Sequence, residues 1–226
     1  MKLSDIYDQL AYGELRQVVM GTSTMPITEV GIPADKQAEI FPFVTLGITE
    51  LHKRFKLREE TTSVTLVADQ VNYSLATVTD FMQLERITGT LNERDYEIPV
   101  NSRLDYAIKT PFYNTLALPT DTTKALWLLE TTTLNVTYRA NHPLIDANVA
   151  KAAPTITEIY LSEMFLEPLL FYIASRVTSS FGASGQFHEG NNYAAKFEQS
   201  IARLQQENYD IDQEEVPNKL LSRGFV

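Results

Sequence analysis

The sequence predicts an α+β protein: a four-helix bundle with a β-rich module inserted between helices two and three, and an extended C-terminal tail. Three observations carry that expectation. Apolar residues recur every three or four positions in the stretches 3–60 and 155–208. The intervening stretch, 61–140, is made of short alternating runs rich in Thr, Val, Leu and Tyr. Beyond the last helical pattern, an acidic segment passes through Pro217 to an apolar end. The expected organisation is therefore 1–60 plus 141–209 as the helical bundle, 61–140 as the inserted β-module, and 210–226 as the tail. With 226 residues, 44% of them hydrophobic, the chain has enough apolar material for a substantial core.

The first expected helix runs from Leu3 to Met20, with Ser4 or Asp5 as its cap. Leu3, Ile6 or Tyr7, and Leu10 form its apolar stripe, and Gly13 weakens its middle. A Thr-rich loop, Gly21 to Gly31, follows. Pro33 opens the second helix, at a position where a missing N–H costs nothing. Ile40, Val44, Ile48, Leu51 and Phe55 make one stripe along it, and Pro42 predicts a kink or a later start. His52, Lys53, Arg54, Lys56 and Arg58 crowd its end, where cations oppose the negative pole of the helix dipole. Two readings of this cluster stand: a solvated helix end, or a docking contact for an acidic partner.

In the β-module, Thr61–Asp69 alternates Thr62, Val64, Leu66 and Ala68 against Ser63, Thr65 and Val67. Further short strands are expected at Asn72–Ala76, Phe81–Thr88, Tyr96–Val100, Leu116–Pro119, Leu126–Glu130 and Leu134–Tyr138. Residues 140–154 hold the breakers Asn141, Pro143 and Pro154 and read as irregular. The third helix is expected over Thr155–Ser180, with Thr155 or Thr157 as cap and a bend at Pro168. The fourth is expected from about Asn191 to Asn208, with Tyr193, Phe197, Ile201 and Leu204 on one face.

Composition excludes several kinds of chemistry. No cysteine is present, so disulfides, thiolate metal sites and cysteine nucleophiles are absent. A net charge of -10 opposes phosphate binding, which argues against a DNA-gripping role. It fits either a simple solubility function or a channel wall along which DNA slides. No stretch has the roughly 20 apolar residues of a membrane helix, and the first residues lack the apolar core of a signal peptide. His52, His142 and His188 form no HxxxH or HExxH pair and read as ordinary surface or loop histidines. The loop GASGQFHEG (182–190) joins two helices and lacks a Lys-Ser/Thr sequel, so it does not read as a phosphate loop. No GxSxG elbow occurs. Asn72-Tyr73-Ser74 and Asn135-Val136-Thr137 match the glycosylation pattern, which carries no weight without a secretory leader. No catalytic residue, metal ligand or cofactor site is expected. Leu220, Leu221, Phe225 and Val226 suit either a frayed end or a segment that orders in a partner's groove.

Several stretches, in order, resemble one known family. They are LHKRFKLREE (51–60), DYEIPVN (95–101), YAIKTPFYNTLALP (106–119), LNVTYRANHPLI (134–145), LEPLLFYIASRVTSSFG (166–182) and NYAAKFEQSIARLQQEN (192–208). Together they are similar to the adaptor, or head-to-tail connector, proteins of tailed bacteriophages, which include the tail tubular protein A type. The resemblance implies a structural, non-enzymatic virion protein of the neck, made in the host bacterial cytoplasm. It implies a twelve-fold ring of copies between the portal protein and a tail (nozzle or tail-tube) protein. Double-stranded DNA would pass through the lumen without sequence-specific binding, and no membrane is involved. It makes the C-terminal residues Asn218, Lys219, Leu220, Leu221, Arg223, Phe225 and Val226 the candidate portal-binding set. It leaves the His52–Arg58 cluster without a role. The alternatives are a stopper or tail-terminator protein of the neck, or an unrecognised soluble enzyme.

Overall fold

The computed structural model describes residues 1–15, 31–91, 94–120, 131–180 and 186–207. The chain divides into two compact units, one formed by Met1–Phe55 with Leu144–Val226, the other by Lys56–Pro143.

The first unit is helical. Helix α1 (Leu3–Tyr12) buries Leu3, Ile6, Tyr7, Leu10 and Ala11. Its first turn is closed by Asp5, whose carboxylate accepts the Lys2 backbone N–H at 2.9 Å, so the acid caps from inside the helix. Gly13 ends it, donating its N–H to the Gln9 carbonyl. Helix α2 (Ala34–Arg54) follows Pro33 and buries Ile40, Val44, Ile48 and Leu51, continued by Phe55. Pro42 stands inside α2 on its exposed side, and so does Ala38, whose carbonyl loses its helical donor on a surface open to solvent. The cost of the proline is thereby reduced, and α2 runs through it. After a short helix α3 (Ala147–Ala152) and a 3₁₀ turn (Glu163–Phe165) come α4 (Leu166–Ser180) and α5 (Gln186–Glu207). Helix α4 buries Leu169, Leu170, Ile173, Ala174 and Val177, and α5 buries Phe197, Ile201 and Leu204. Each fully buried side chain of this kind is worth roughly 1.5–3 kcal/mol. Two glycines allow close packing. A Cβ at Gly47 of α2 would meet Leu169 Cδ1 of α4 at 2.7 Å, and one at Gly190 of α5 would meet Ser179 Oγ at 2.5 Å.

This architecture corrects the expected four-helix bundle with a β-module inserted between helices two and three. Among the described residues the chain is α+β with five α-helices and two antiparallel sheets, of four and three strands. Three local causes account for the difference. The expected third helix starts only at Leu166, because residues 157–159 run alongside the N-terminus, where Glu158 bridges Lys2, and the chain then turns at Tyr160. Thr157, Ile159 and Leu161 point inward while Glu158 and Tyr160 point out, and this segment pairs with the N-terminus. Leu3 N–H donates to the Thr157 carbonyl at 3.0 Å, and Ile159 N–H to that of Met1 at 2.8 Å. Pro168 accordingly falls in the first turn of α4, where its missing N–H costs nothing, and predicts no bend. The stretch expected to be irregular before Pro154 contains α3, which Asp146 caps by accepting the Asn148 N–H at 2.8 Å. The first expected helix ends at Tyr12, and its continuation from residue 16 lies outside the described residues.

The second unit is built of strands. These are β1 (Glu59–Thr65), β2 (Asn72–Ser74), β3 (Phe81–Leu91), β4 (Arg94–Ile98), β5 (Lys109–Phe112), β6 (Thr115–Ala117) and β7 (Thr133–Ala140). The larger sheet has the order β1-β7-β3-β4 and the smaller β2-β6-β5, all neighbours antiparallel. One apolar cluster draws on both sheets, with Ile87, Ile98, Leu134 and Val136 from the larger and Tyr73 and Leu116 from the smaller. A bridge between Val100 and Ile108 links the end of β4 to the start of β5. The Tyr73 hydroxyl accepts the Val67 N–H at 2.7 Å, satisfying a backbone donor beyond β1. The alternation expected over Thr61–Asp69 holds as far as Leu66, with Thr62, Val64 and Leu66 half-buried and Thr61, Ser63 and Thr65 exposed, but the strand ends at Thr65 and Ala68, expected inside, is exposed. Strand β5 was not anticipated, since KTPF carries a proline and no alternating pattern. The strand expected at Leu126–Glu130 lies outside the described residues.

Candidate interaction surfaces

The cations of the basic cluster at the end of α2 pair with acids, each within its own unit. Arg54 donates from Nε to Glu50 at 3.0 Å and from both terminal nitrogens to Glu198 at 2.9 Å each. These bonds hold its guanidinium above its ordinary pKa. Lys53 lies 3.6 Å from Glu50. In the β unit Lys56 meets Glu59 at 2.7 Å. Arg58 donates to Glu60 at 3.2 and 3.0 Å, to Asp80 at 2.9 Å and to the Asn141 carbonyl at 2.8 Å. Tyr138 hydroxyl donates to the same Asp80 at 3.1 Å. Its pKa is pushed up to about 12, by burial first and by that bond second. Arg58 is tied into the β unit by partly covered acids, whereas Lys53, 58% exposed, and the exposed Arg54–Glu198 pair are compatible with a solvated helix end. Glu198 and Asp80 lie far away in sequence, so spacing alone could not reveal them.

Two of the histidines read as surface or loop residues are buried. His52 falls on the inner face of α2, four residues after Ile48, and is 2% exposed. His142 is buried, and its Nδ1 donates to the Pro143 carbonyl at 2.7 Å. Burial lowers its pKa, and Arg58 adds to the effect. His188 lies in α5. Among the described residues no group of three His, Asp or Glu is placed to hold a metal ion.

Two clefts among the described residues do not assemble a reacting centre. One of about 360 Å³ in the helical unit is lined by Arg54, Glu50, Glu198, Tyr172, Arg176 and Ser175, among others. Arg54 and both acids in it are bonded to one another, and Arg176 lies over the Tyr172 ring at 5.1 Å. Ser175 Oγ donates to the Tyr172 carbonyl of its own helix. The other cleft, of about 410 Å³ in the β unit, lies where β3 bulges near Met82 and Glu85. Asn101 borders it at φ 50°, anchored by its side chain to Thr110 at 2.6 and 2.9 Å.

What each unit does present is apolar surface. At the tip of the β5–β6 hairpin, Phe112 is 70% and Tyr113 73% exposed. In the helical unit, Leu144 is 99%, Ile156 70% and Tyr160 67% exposed. Exposed apolar side chains that form a contiguous patch are candidate partner surfaces, whereas isolated ones are ordinary. No single sequence signal pointed to them, since exposure depends on the folded chain. The candidate portal-binding residues Asn218, Lys219, Leu220, Leu221, Arg223, Phe225 and Val226 lie outside the described residues.

The family model of the SU10 adaptor protein matches residues 11–218, nearly the whole chain. The chain belongs to the SU10 adaptor protein family. No curated protein matches it. An SU10 adaptor protein is a phage adaptor-type structural protein, so the family points to a non-enzymatic role in the virion, in contact with other virion proteins. Among the described residues no helix is long and apolar enough to cross a membrane.

Proposed function

We propose that this SU10 adaptor protein is a head-to-tail connector subunit, of the kind exemplified by tail tubular protein A. Copies form a twelve-fold ring that joins the portal to the tail and continues the DNA channel. The observation that carries the reading is the exposed aromatic pair Phe112 and Tyr113 on the β5–β6 hairpin. Aromatic anchors concentrate binding energy at interfaces, and a hairpin tip presents them to solvent. We assign this tip to the tail-side partner. The C-terminal set Asn218, Lys219, Leu220, Leu221, Arg223, Phe225 and Val226 reaches the portal. The net charge of -10 keeps the lumen wall from holding DNA.

The test is to mix the purified chain with its cognate portal and image the mixture by electron microscopy. A closed collar below the portal, lost when residues 217–226 are removed, is the expected result. A collar that persists without those residues overturns the tail assignment. No association at near-physiological salt overturns the connector role and moves the chain to a stopper or terminator that joins the neck later.

A further inference from the structure

Strand β3 is longer than the strand that covers its outer edge. Of its 11 residues, Phe81–Leu91, β4 pairs only with those from Ile87 to Leu91. Residues 82–86 have β7 on one side, and among the described residues their backbone makes no hydrogen bond on the other. The chain after β4 is drawn away at that point. Ile108 donates its N–H to the Pro99 carbonyl at 3.0 Å, and Asn101 donates to the Ile108 carbonyl at 2.9 Å. Val100 thereby bridges to Ile108 and leaves β3. The space left is the cleft of about 410 Å³, lined by residues 82–85 together with Val100, Asn101, Thr110 and Tyr113. Its borders are not alike. On the β5 side, Asn101 Oδ1 accepts the Thr110 N–H at 2.9 Å, and Pro111 has no N–H to give, so that strand is closed to a further neighbour. On the β3 side, residues 82–86 offer about 17 Å of extended backbone at ~3.4 Å per residue.

We propose that this cleft receives an extended, uncharged segment of the tail-side partner, which adds to the outer edge of β3 as a strand. An unpaired strand edge recognises another extended backbone. Glu85, the charged side chain of the lining, is already bonded to Arg139 at 3.3 Å, so the cleft holds no free charge to match a charged guest. Two observations select a single segment of the tail-side partner over a second copy. The first is the shape of the edge. Register shifts at Met82 and Glu85 interrupt β3, and bulges of this kind guard an edge against the regular edge of another sheet. A lone segment can follow the bend between β3 and Asn101. The second is continuity. Tyr113 lines the cleft and also belongs to the exposed Phe112–Tyr113 tip, so guest and tip share one surface.

The inference rests on the assignment of that tip to the tail-side partner and deepens it by naming main-chain pairing as the grip. The test is hydrogen exchange, read by residue, on the full chain assembled on its portal, before and after the tail-side protein of the same virion is added. Strand addition should slow the outward amides among residues 82–86 about tenfold or more, together with those of Phe112 and Tyr113. Slowing at the tip with residues 82–86 unchanged overturns the inference and leaves the connector reading standing. Slow amides at 82–86 in the collar before the tail-side protein is added overturn it too, because the edge is then filled by a second copy or by the portal. No collar, or a collar to which the tail-side protein does not bind, overturns the connector reading and the inference with it. Gln83→Lys adds a second readout, since a lysine is the kind of charge by which edge strands avoid partners. Gln83 is exposed, so the unfolding midpoint of the free chain should stay in place while joining to the tail-side protein weakens about tenfold. Joining at full strength overturns the inference.

Discussion

Replacing Arg58 with alanine tests whether the ion pairs after α2 are structural. The guanidinium makes four N–H···O contacts, two to Glu60, one to Asp80 and one to the Asn141 carbonyl. The side chains of Arg58 and Asp80 are only 29% and 25% exposed, so solvent screens this pair incompletely. Removing the arginine leaves a mostly covered carboxylate with the Tyr138 hydroxyl, and leaves the Asn141 carbonyl without that donor. A hydrogen bond to a charged group is worth about 1.5–3 kcal/mol, whereas exposed pairs contribute about 0–1 kcal/mol. Arg58→Ala should therefore cost about 2–3 kcal/mol. The internal comparison is Arg203, whose pair with Glu167 is 58% and 50% exposed; Arg203→Ala should cost less than about 0.5 kcal/mol. Urea unfolding followed by circular dichroism measures both, and the Arg58 variant should melt roughly 5–10 °C lower. Arg58→Lys keeps the charge, loses the planar fork, and should fall between the two. Equal midpoints for Arg58→Ala and Arg203→Ala would refute the reasoning and return Arg58 to the class of solvated surface cations.

Further outcomes follow from other contacts. Tyr7 and Tyr138 have pKa values pushed up to about 12, Tyr7 by burial and Tyr138 by burial and its bond to Asp80. Their phenols favour the folded state fully below pH about 10, and that stabilisation is lost as pH rises towards 12. Absorbance titration at alkaline pH should show a late phase, which Tyr138→Phe reduces. His142 has a lowered pKa in the folded state, so its contribution is present above the unfolded value of about 6.5 and is lost as pH falls below it. His142→Asn should flatten the acid side of the stability profile, measured by unfolding midpoints from pH 7 to 5. Gly47→Ala forces a Cβ within 2.7 Å of Leu169 Cδ1 and 3.0 Å of Tyr172 Cδ1. It should cost about 1–3 kcal/mol by overpacking, read as a lowered unfolding midpoint. Phe112→Ser with Tyr113→Ser should leave stability nearly unchanged, because both are exposed, and should weaken tail attachment in an in vitro joining assay.

Local pattern carried part of this structure in plain sight. The stripe Ile40, Val44, Ile48, Leu51 and Phe55 is buried as its spacing demands, and the strand pattern from Thr62 to Leu66 points the right way. Each depends only on period and on one face being dry. What failed depended on partners distant in sequence. Thr155–Ser180 carries enough apolar residues for a single helix, yet the backbone of Thr157–Ile159 is taken by Met1–Leu3. No local signal reports that competition. Pro168 reads as a bend within a long helix and as a harmless first-turn residue in the shorter one, so its meaning changes with the boundary. The same limit hid the destinations of Arg54 and Arg58. The exposed Phe112, Ile156 and Tyr160 were visible as apolar residues, but only the fold shows which apolar residues were left outside.

The bond between the first three residues and Thr157–Ile159 also sets an order of events at the ribosome. The β unit is continuous in sequence, Lys56–Pro143, and can close as soon as its last strand, β7, has emerged. The helical unit cannot. Helices α1 and α2 are synthesised first, yet the backbone partners of Met1 and Leu3 and the apolar faces of α4 and α5 arrive more than 150 residues after Leu3. Until then the stripe from Ile40 to Phe55 has no α4 to pack against.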